Sequence, residues 1–251
     1  MRKLLLVLGL VGTFGVQLGC TGDRGDEVLD LARSGRPDAA AKVAALARDR
    51  DPKVRALAIA SLAELLPGEV ARDCARRGLE DREASVRAAA ARATGELFDR
   101  ASTERLLQMA RGDADPMVRR RAVDTLGRLG GDAVPAALAA ALQDPVAEVR
   151  LSAARGLVRH ARETTVEPLA AALAKDTAWE VRREAARALA TSQSLEAIAP
   201  LQGARDTDAN EFVRVTAAHA LAALPPPPPP PPPPPKPVPA APKAAPVPPP
   251  A

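Results

Sequence analysis

Residues 113–122 read Asp113-Ala114-Asp115-Pro116-Met117-Val118-Arg119-Arg120-Arg121-Ala122, and three of these positions recur along the chain. The dipeptide Val-Arg begins at Val54, Val86, Val118, Val149, Val181 and Val213, at spacings of 32, 32, 31, 32 and 32 residues. Five residues before each valine stands an aspartate: Asp49, Asp81, Asp113, Asp144, Asp176 and Asp208. Four residues after each valine stands an alanine: Ala58, Ala90, Ala122, Ala153, Ala185 and Ala217. Three positions held in register through six copies mark an internal repeat, and this period belongs to stacked supersecondary units.

Within each copy the pattern is helical. Val54 is followed by Ala58, Ser61, Leu62 and Leu65, and Val181 by Ala185, Ala188 and Leu189, which is one stripe of an α-helix. Asp51-Pro52, Asp115-Pro116 and Asp144-Pro145 read as cap aspartates before a first-turn proline, whose missing N–H costs nothing there. Shorter segments at 133–142, 166–174 and 195–201 supply the other helix of each copy, the Val-Arg helix being the second of the pair, and residues 26–34, ending at Gly35, a capping helix. Hydrophobic residues make up 47% of the chain, but aromatics only 2% and tyrosine none. The core is therefore expected to be Ala, Leu and Val, which suits closely layered helices. The expected fold is all-α, an α-solenoid of about six helical hairpins over residues 36–224, preceded at 20–35 by an anchor linker and the capping helix.

The Asp-x-x-x-x-Val-Arg-x-x-Ala pattern resembles HEAT repeats, in particular the short units associated with phycobilisome lyases. The resemblance covers about residues 36–224. It implies that the valine packs between helices, and that the aspartate and arginine support the turn and join adjacent repeats. It also implies an extended groove lined by the second helix of each pair.

The two ends are different material. Arg2 and Lys3 precede an apolar stretch from Leu4 that is too interrupted to span a bilayer, so residues 1–19 read as an export signal. The run Val16-Gln17-Leu18-Gly19-Cys20 resembles a bacterial lipoprotein signal, with Gln17 where that family usually has Leu. The resemblance implies cleavage before Cys20 and lipidation of its thiol, each buried methylene adding about 0.8 kcal/mol to anchoring. With Thr21 next, the implied location is the cell envelope, on the outer or the inner membrane facing periplasm or surface; simple secretion is the alternative. Only Cys74 then remains, and its place on an apolar helix side predicts a buried thiol. Residues 225–235 are eleven consecutive prolines, and Pro, Ala, Val, Lys236 and Lys243 follow through Ala251. Proline cannot continue a helix, so residues 225–251 are expected as a disordered or polyproline II tail, up to about 80 Å long. Such a tail serves as a spacer through the cell wall or as a ligand of a polyproline-binding domain.

Lys+Arg number 35 against 31 Asp+Glu, but Arg2, Lys3, Lys236 and Lys243 lie in ends without acids, so the body is balanced. Balance gives no warrant for nucleic-acid binding. His160 and His219 are the only histidines and stand on different repeats; no metal cluster, phosphate loop or nucleophile elbow is evident, so no cofactor and no enzyme is expected. Six residues after the repeat valines come Ala60, Arg92, Asp124, Arg155, Arg187 and His219, and Arg120, Arg121, Arg128, Arg159 and Arg183 lie nearby. Arg92, Arg120, Arg121, Arg155, Arg159, Arg183 and Arg187 are thus candidate partner-binding residues, a basic stripe for an acidic protein segment. The opposing reading is a solvated face whose charges pair locally. The functional expectation is a membrane-anchored, non-enzymatic protein-binding scaffold whose partner is an unknown protein. An accessory or chaperone-like subunit of an enzymatic complex, remotely bilin-lyase-like, is the alternative.

Overall fold

Every repeat valine and every repeat alanine is buried, none more than 1% exposed, and the fold follows from how those stripes are covered. The structure is a computed structural model that describes residues 22–225. Among the described residues are thirteen α-helices, three short 3-10 turns and no strand. The helices are α1 (Gly22–Arg33), α2 (Ala39–Leu46), α3 (Pro52–Leu65), α4 (Glu69–Gly78), α5 (Ala84–Glu96), α6 (Thr103–Gly112) and α7 (Pro116–Leu129). They continue with α8 (Val134–Ala141), α9 (Ala147–His160), α10 (Val166–Lys175), α11 (Trp179–Thr191), α12 (Ile198–Thr207) and α13 (Glu211–Ala223).

From α2 onward they pair as six hairpins, each with a shorter even helix followed by a longer odd one. The odd helices α3 to α13 lie side by side as one layer, and the even helices pack behind them. No helix hides its apolar stripe alone: α7 packs on α5, α6, α8 and α9 together. Capping helix α1 packs on α3 and α2, in the place an odd helix of a preceding repeat would fill.

The small residues permit close approach. A Cβ on Gly127 of α7 would stand 3.1 Å from the Gly156 Cα of α9, and one on Gly78 of α4 would meet the Ala90 Cβ of α5 at 2.9 Å. Polar groups also bridge the seams: the Thr125 hydroxyl of α7 donates to the Ala91 carbonyl of α5 at 2.7 Å. His160 Nε2 of α9 lies 2.9 Å from the Gly127 carbonyl oxygen of α7. Cys74 is buried, as its position predicts, with Arg77 Nη2 3.1 Å from its sulfur.

Asp51 and Asp115 cap their helices, accepting from the Lys53 N–H at 2.8 Å and the Met117 N–H at 2.7 Å. Asp144 does not. It stands five residues before its repeat valine rather than three, so α9 begins only at Ala147, after Val146. The segment expected at 195–201 splits into a 3-10 turn, Leu195–Ala197, and α12, which runs on to Thr207. The export signal, Cys20 and the polyproline tail beyond Pro225 lie outside the described residues.

Candidate functional site

Two surfaces of the odd-helix layer carry the chain's ordered chemistry, and the repeated Asp and Arg residues build the first. Arg119 lays its guanidinium against Asp144 of the next repeat through two bonds, Nε to Oδ2 at 2.7 Å and Nη2 to Oδ1 at 3.0 Å. Its Nη1 donates to the Asp113 and Ala114 carbonyls of its own turn at 2.9 and 3.3 Å. Asp144 also accepts the Val146 N–H at 2.9 Å, which closes the turn before α9. The same bidentate arrangement joins Arg55 to Asp81, Arg87 to Asp113, Arg150 to Asp176 and Arg182 to Asp208. Arg24 of α1 supplies the missing arginine for Asp49. At the other end Arg214 donates only to the Asp208 and Ala209 carbonyls, and meets no carboxylate among the described residues. These residues are a structural ladder. The Arg55 guanidinium, against the opposing pull of burial, holds the Asp81 carboxyl below its ordinary range. For Asp144 burial is the largest influence and pushes upward, but Arg119 and the Val146 N–H outweigh it and the carboxyl stays low.

The second surface is the open face of the odd helices, turned away from the buried stripes. The spacing of Arg92, Arg120, Arg121, Arg155, Arg159, Arg183 and Arg187 from their repeat valines places all seven on it, and they divide into two groups. Arg183 and Arg187 each donate at 2.8 Å to Glu184, a carboxylate only 2% exposed, and Arg92 pairs with Glu96 at 3.5 Å. Local pairing holds there. Arg120, Arg121, Arg155 and Arg159 make no ion pair among the described residues. Arg120 Nη2 rests 3.2 Å from the Met117 sulfur, and its Nε is buried without a partner. Burial and then the charge of Arg120, with Arg92 and Arg128 adding to it against Asp124, push the Arg121 guanidinium below its ordinary value. Positive charge is therefore concentrated at α7, flanked by α5 and α9, in a body that is neutral as a whole.

The sequence offers Trp179 as a contact point or as interhelical filler, but does not show the partner it has on the same face. Trp179 at the start of α11 and Phe212 near the start of α13 have ring centroids 5.6 Å apart, with the Arg183 guanidinium carbon 5.3 Å from the tryptophan ring centre. The available signal was the position one residue before the repeat valine, which holds Lys53, Ser85, Met117, Glu148 and Glu180 but Phe212 in the last copy.

The model of the family described as HEAT repeats matches residues 75–157 and 134–222, together more than half of the chain. The chain belongs to the HEAT-repeat family. No curated protein matches it. Among solved structures, an engineered protein is 24% identical and superposes with a TM-score of 0.58, covering 73% of this chain and 95% of its own. An archaeal HEAT-like repeat protein from Thermococcus onnurineus is 16% identical, with a TM-score of 0.55 over 78% of this chain and 92% of its own. A designed armadillo repeat protein, in complex with the peptide (KR)4, is 20% identical, with a TM-score of 0.53 over 81% and 100%. At these identities the likeness concerns the fold. Among the described residues of this HEAT-repeat chain no helix is long and apolar enough to cross a membrane, and no three or more His, Cys, Asp or Glu gather where they could hold a metal.

Proposed function

We propose that this HEAT-repeat protein is a non-enzymatic scaffold that holds an acidic segment of a partner protein along the open face of its odd helices, while a lipid on Cys20 tethers it to the cell envelope. The observation that carries the reading is the group Arg120, Arg121, Arg155 and Arg159, left without ion pairs among the described residues of a charge-balanced body. The part-buried Arg121 guanidinium, crowded by the charge of Arg120, gains most from an incoming carboxylate, because it satisfies donors and relieves repulsion together, while the exposed Arg155 and Arg159 extend the positive face. Repeat layers of this kind accept extended charged peptides: the designed armadillo protein is seen with a basic one. Here the unpaired charge of the face is positive, which suits an acidic peptide. The ladder edge, whose charges are paired, and the neutral total leave the rest of the surface without comparable attraction.

The test is titration of the folded chain with a short poly-glutamate peptide, read by calorimetry at low and raised salt. Saturable binding that weakens with salt is expected, and Arg121→Glu with Arg155→Glu should reduce it at least tenfold. Equal binding by that double variant, or none by the parent, refutes the groove reading. Incorporation of labelled palmitate in cells, lost in Cys20→Ser, tests the anchor separately.

A further inference from the structure

The chain has one tryptophan and three phenylalanines, and two of these four rings meet on the open face at its C-terminal end. Phe212 is 64% exposed, and Val215, one turn further along α13, is 48% exposed. The fold does not use them: α13 turns Val213, Ala217 and Ala220 inward. Glu184 holds Arg183, and the Arg183 guanidinium lies over the Trp179 ring, so the tryptophan ring is fixed in place before anything binds. A preset pair of aromatic rings beside an aliphatic side chain and an Arg donor is the chemistry that takes up polyproline II segments. Their rings pack between aromatics, and their carbonyls, which have no internal hydrogen bonds, seek donors.

The chain itself supplies such a segment. Residues 225–235 are eleven prolines that begin directly after α13, with no charge until Lys236. That uncharged length, roughly 34 Å at about 3.1 Å per residue, passes Arg183 without like charges meeting. Phe212 lies at the N-terminal end of α13 and the proline run leaves from the C-terminal end, roughly 18 Å away along the helix. An unbroken proline run contains no Gly, Asn or Asp of the kind that reverses a chain, which favours the patch of another molecule over its own. We propose that the proline run of one copy docks on the Trp179–Phe212 patch of a second copy. The patch spans the last two hairpins and the run leaves from the last, so two molecules exchange tails about a two-fold axis and the assembly closes as a dimer.

Trp179 is the chain's sole tryptophan and reports occupancy directly. Its iodide quenching is measured on the full chain over a dilution series, beside sedimentation. Protection that falls on dilution, together with conversion of dimer to monomer, is expected. Excess peptide 225–251 should separate the dimer while keeping Trp179 protected. Phe212→Ala should weaken dimerisation roughly tenfold or more, with the melting temperature unchanged because the side chain is outside the core. Protection that is independent of concentration means the tail docks on its own molecule, and overturns the exchange. A tryptophan equally quenchable with and without the peptide overturns the docking altogether.

Discussion

At the scale of single residues the protein rests on five bidentate Arg–Asp pairs whose members come from consecutive repeats. The arginine side chain is 13% exposed in the Arg119–Asp144 pair and the aspartate 8%, so neither charge is screened as a surface ion pair would be. Asp144→Ala leaves the Arg119 guanidinium half-buried with two donors unmet and should cost about 3 kcal/mol by urea unfolding. Replacing both residues, as Arg119→Met with Asp144→Leu, should recover much of that loss, since no buried charge is then stranded. The pairs also set an acid limit. The folded-state values of Asp81, Asp113, Asp144, Asp176 and Asp208 are all lowered, so their contribution is complete above the unfolded carboxylate value. That contribution disappears as pH falls through the folded values. Stability should be flat near neutral pH and decline below about pH 4, and the decline should be shallower in Asp144→Ala. A pH-resolved series of melting temperatures on parent and variant checks both.

At the scale of elements, the even and odd helices differ in what made them legible. The odd helices carry Val, Arg and Ala at fixed offsets, so their number, order and buried stripe could be read from the chain before any coordinates. The partner of each arginine could not, because it lies 25 or 26 residues downstream and is fixed by how one hairpin stacks on the next. The same reason hid Glu184, which pairs with two candidate arginines, and the meeting of Trp179 with Phe212 across α11 and α13. Asp144 was misread because its Asp-Pro dipeptide imitates the caps at Asp51 and Asp115 from a different register. The seam between α7 and α9 gives the sharpest element-level test. Gly127 faces the Gly156 backbone, which cannot move aside as a side chain can. Gly127→Val should therefore push the two helices apart and cost about 1–3 kcal/mol, despite the better helix propensity of valine over glycine. The measurement is equilibrium unfolding with a circular dichroism signal, in which the helical content of the folded baseline should stay the same.

At the scale of the whole molecule the two ends are built unequally, and a stacked repeat array makes that inequality measurable. Stability in such an array is close to a sum of repeat terms and nearest-neighbour interfaces, so an end repeat keeps only one interface unless something covers it. The first hairpin is covered: α1 packs on α3, with Val28 fully buried, and Arg24 completes the ladder at Asp49. The last is not covered in this way. Among the described residues Arg214 reaches no carboxylate, α12 buries Leu201 as its single fully enclosed residue, and α13 leaves Phe212 and Val215 to solvent. Native-state hydrogen exchange should therefore show the backbone amides of α12 and α13 opening first and those of α7 and α9 last, with α2 and α3 intermediate. Removing residues 22–33 should bring α2 and α3 down to the level of the last hairpin and leave α9 to α13 unchanged, because interfaces beyond the nearest neighbour carry little. Uniform protection from α2 to α13 would instead mean that the six hairpins open as one unit, and that the ladder couples repeats far more strongly than its pairwise geometry implies.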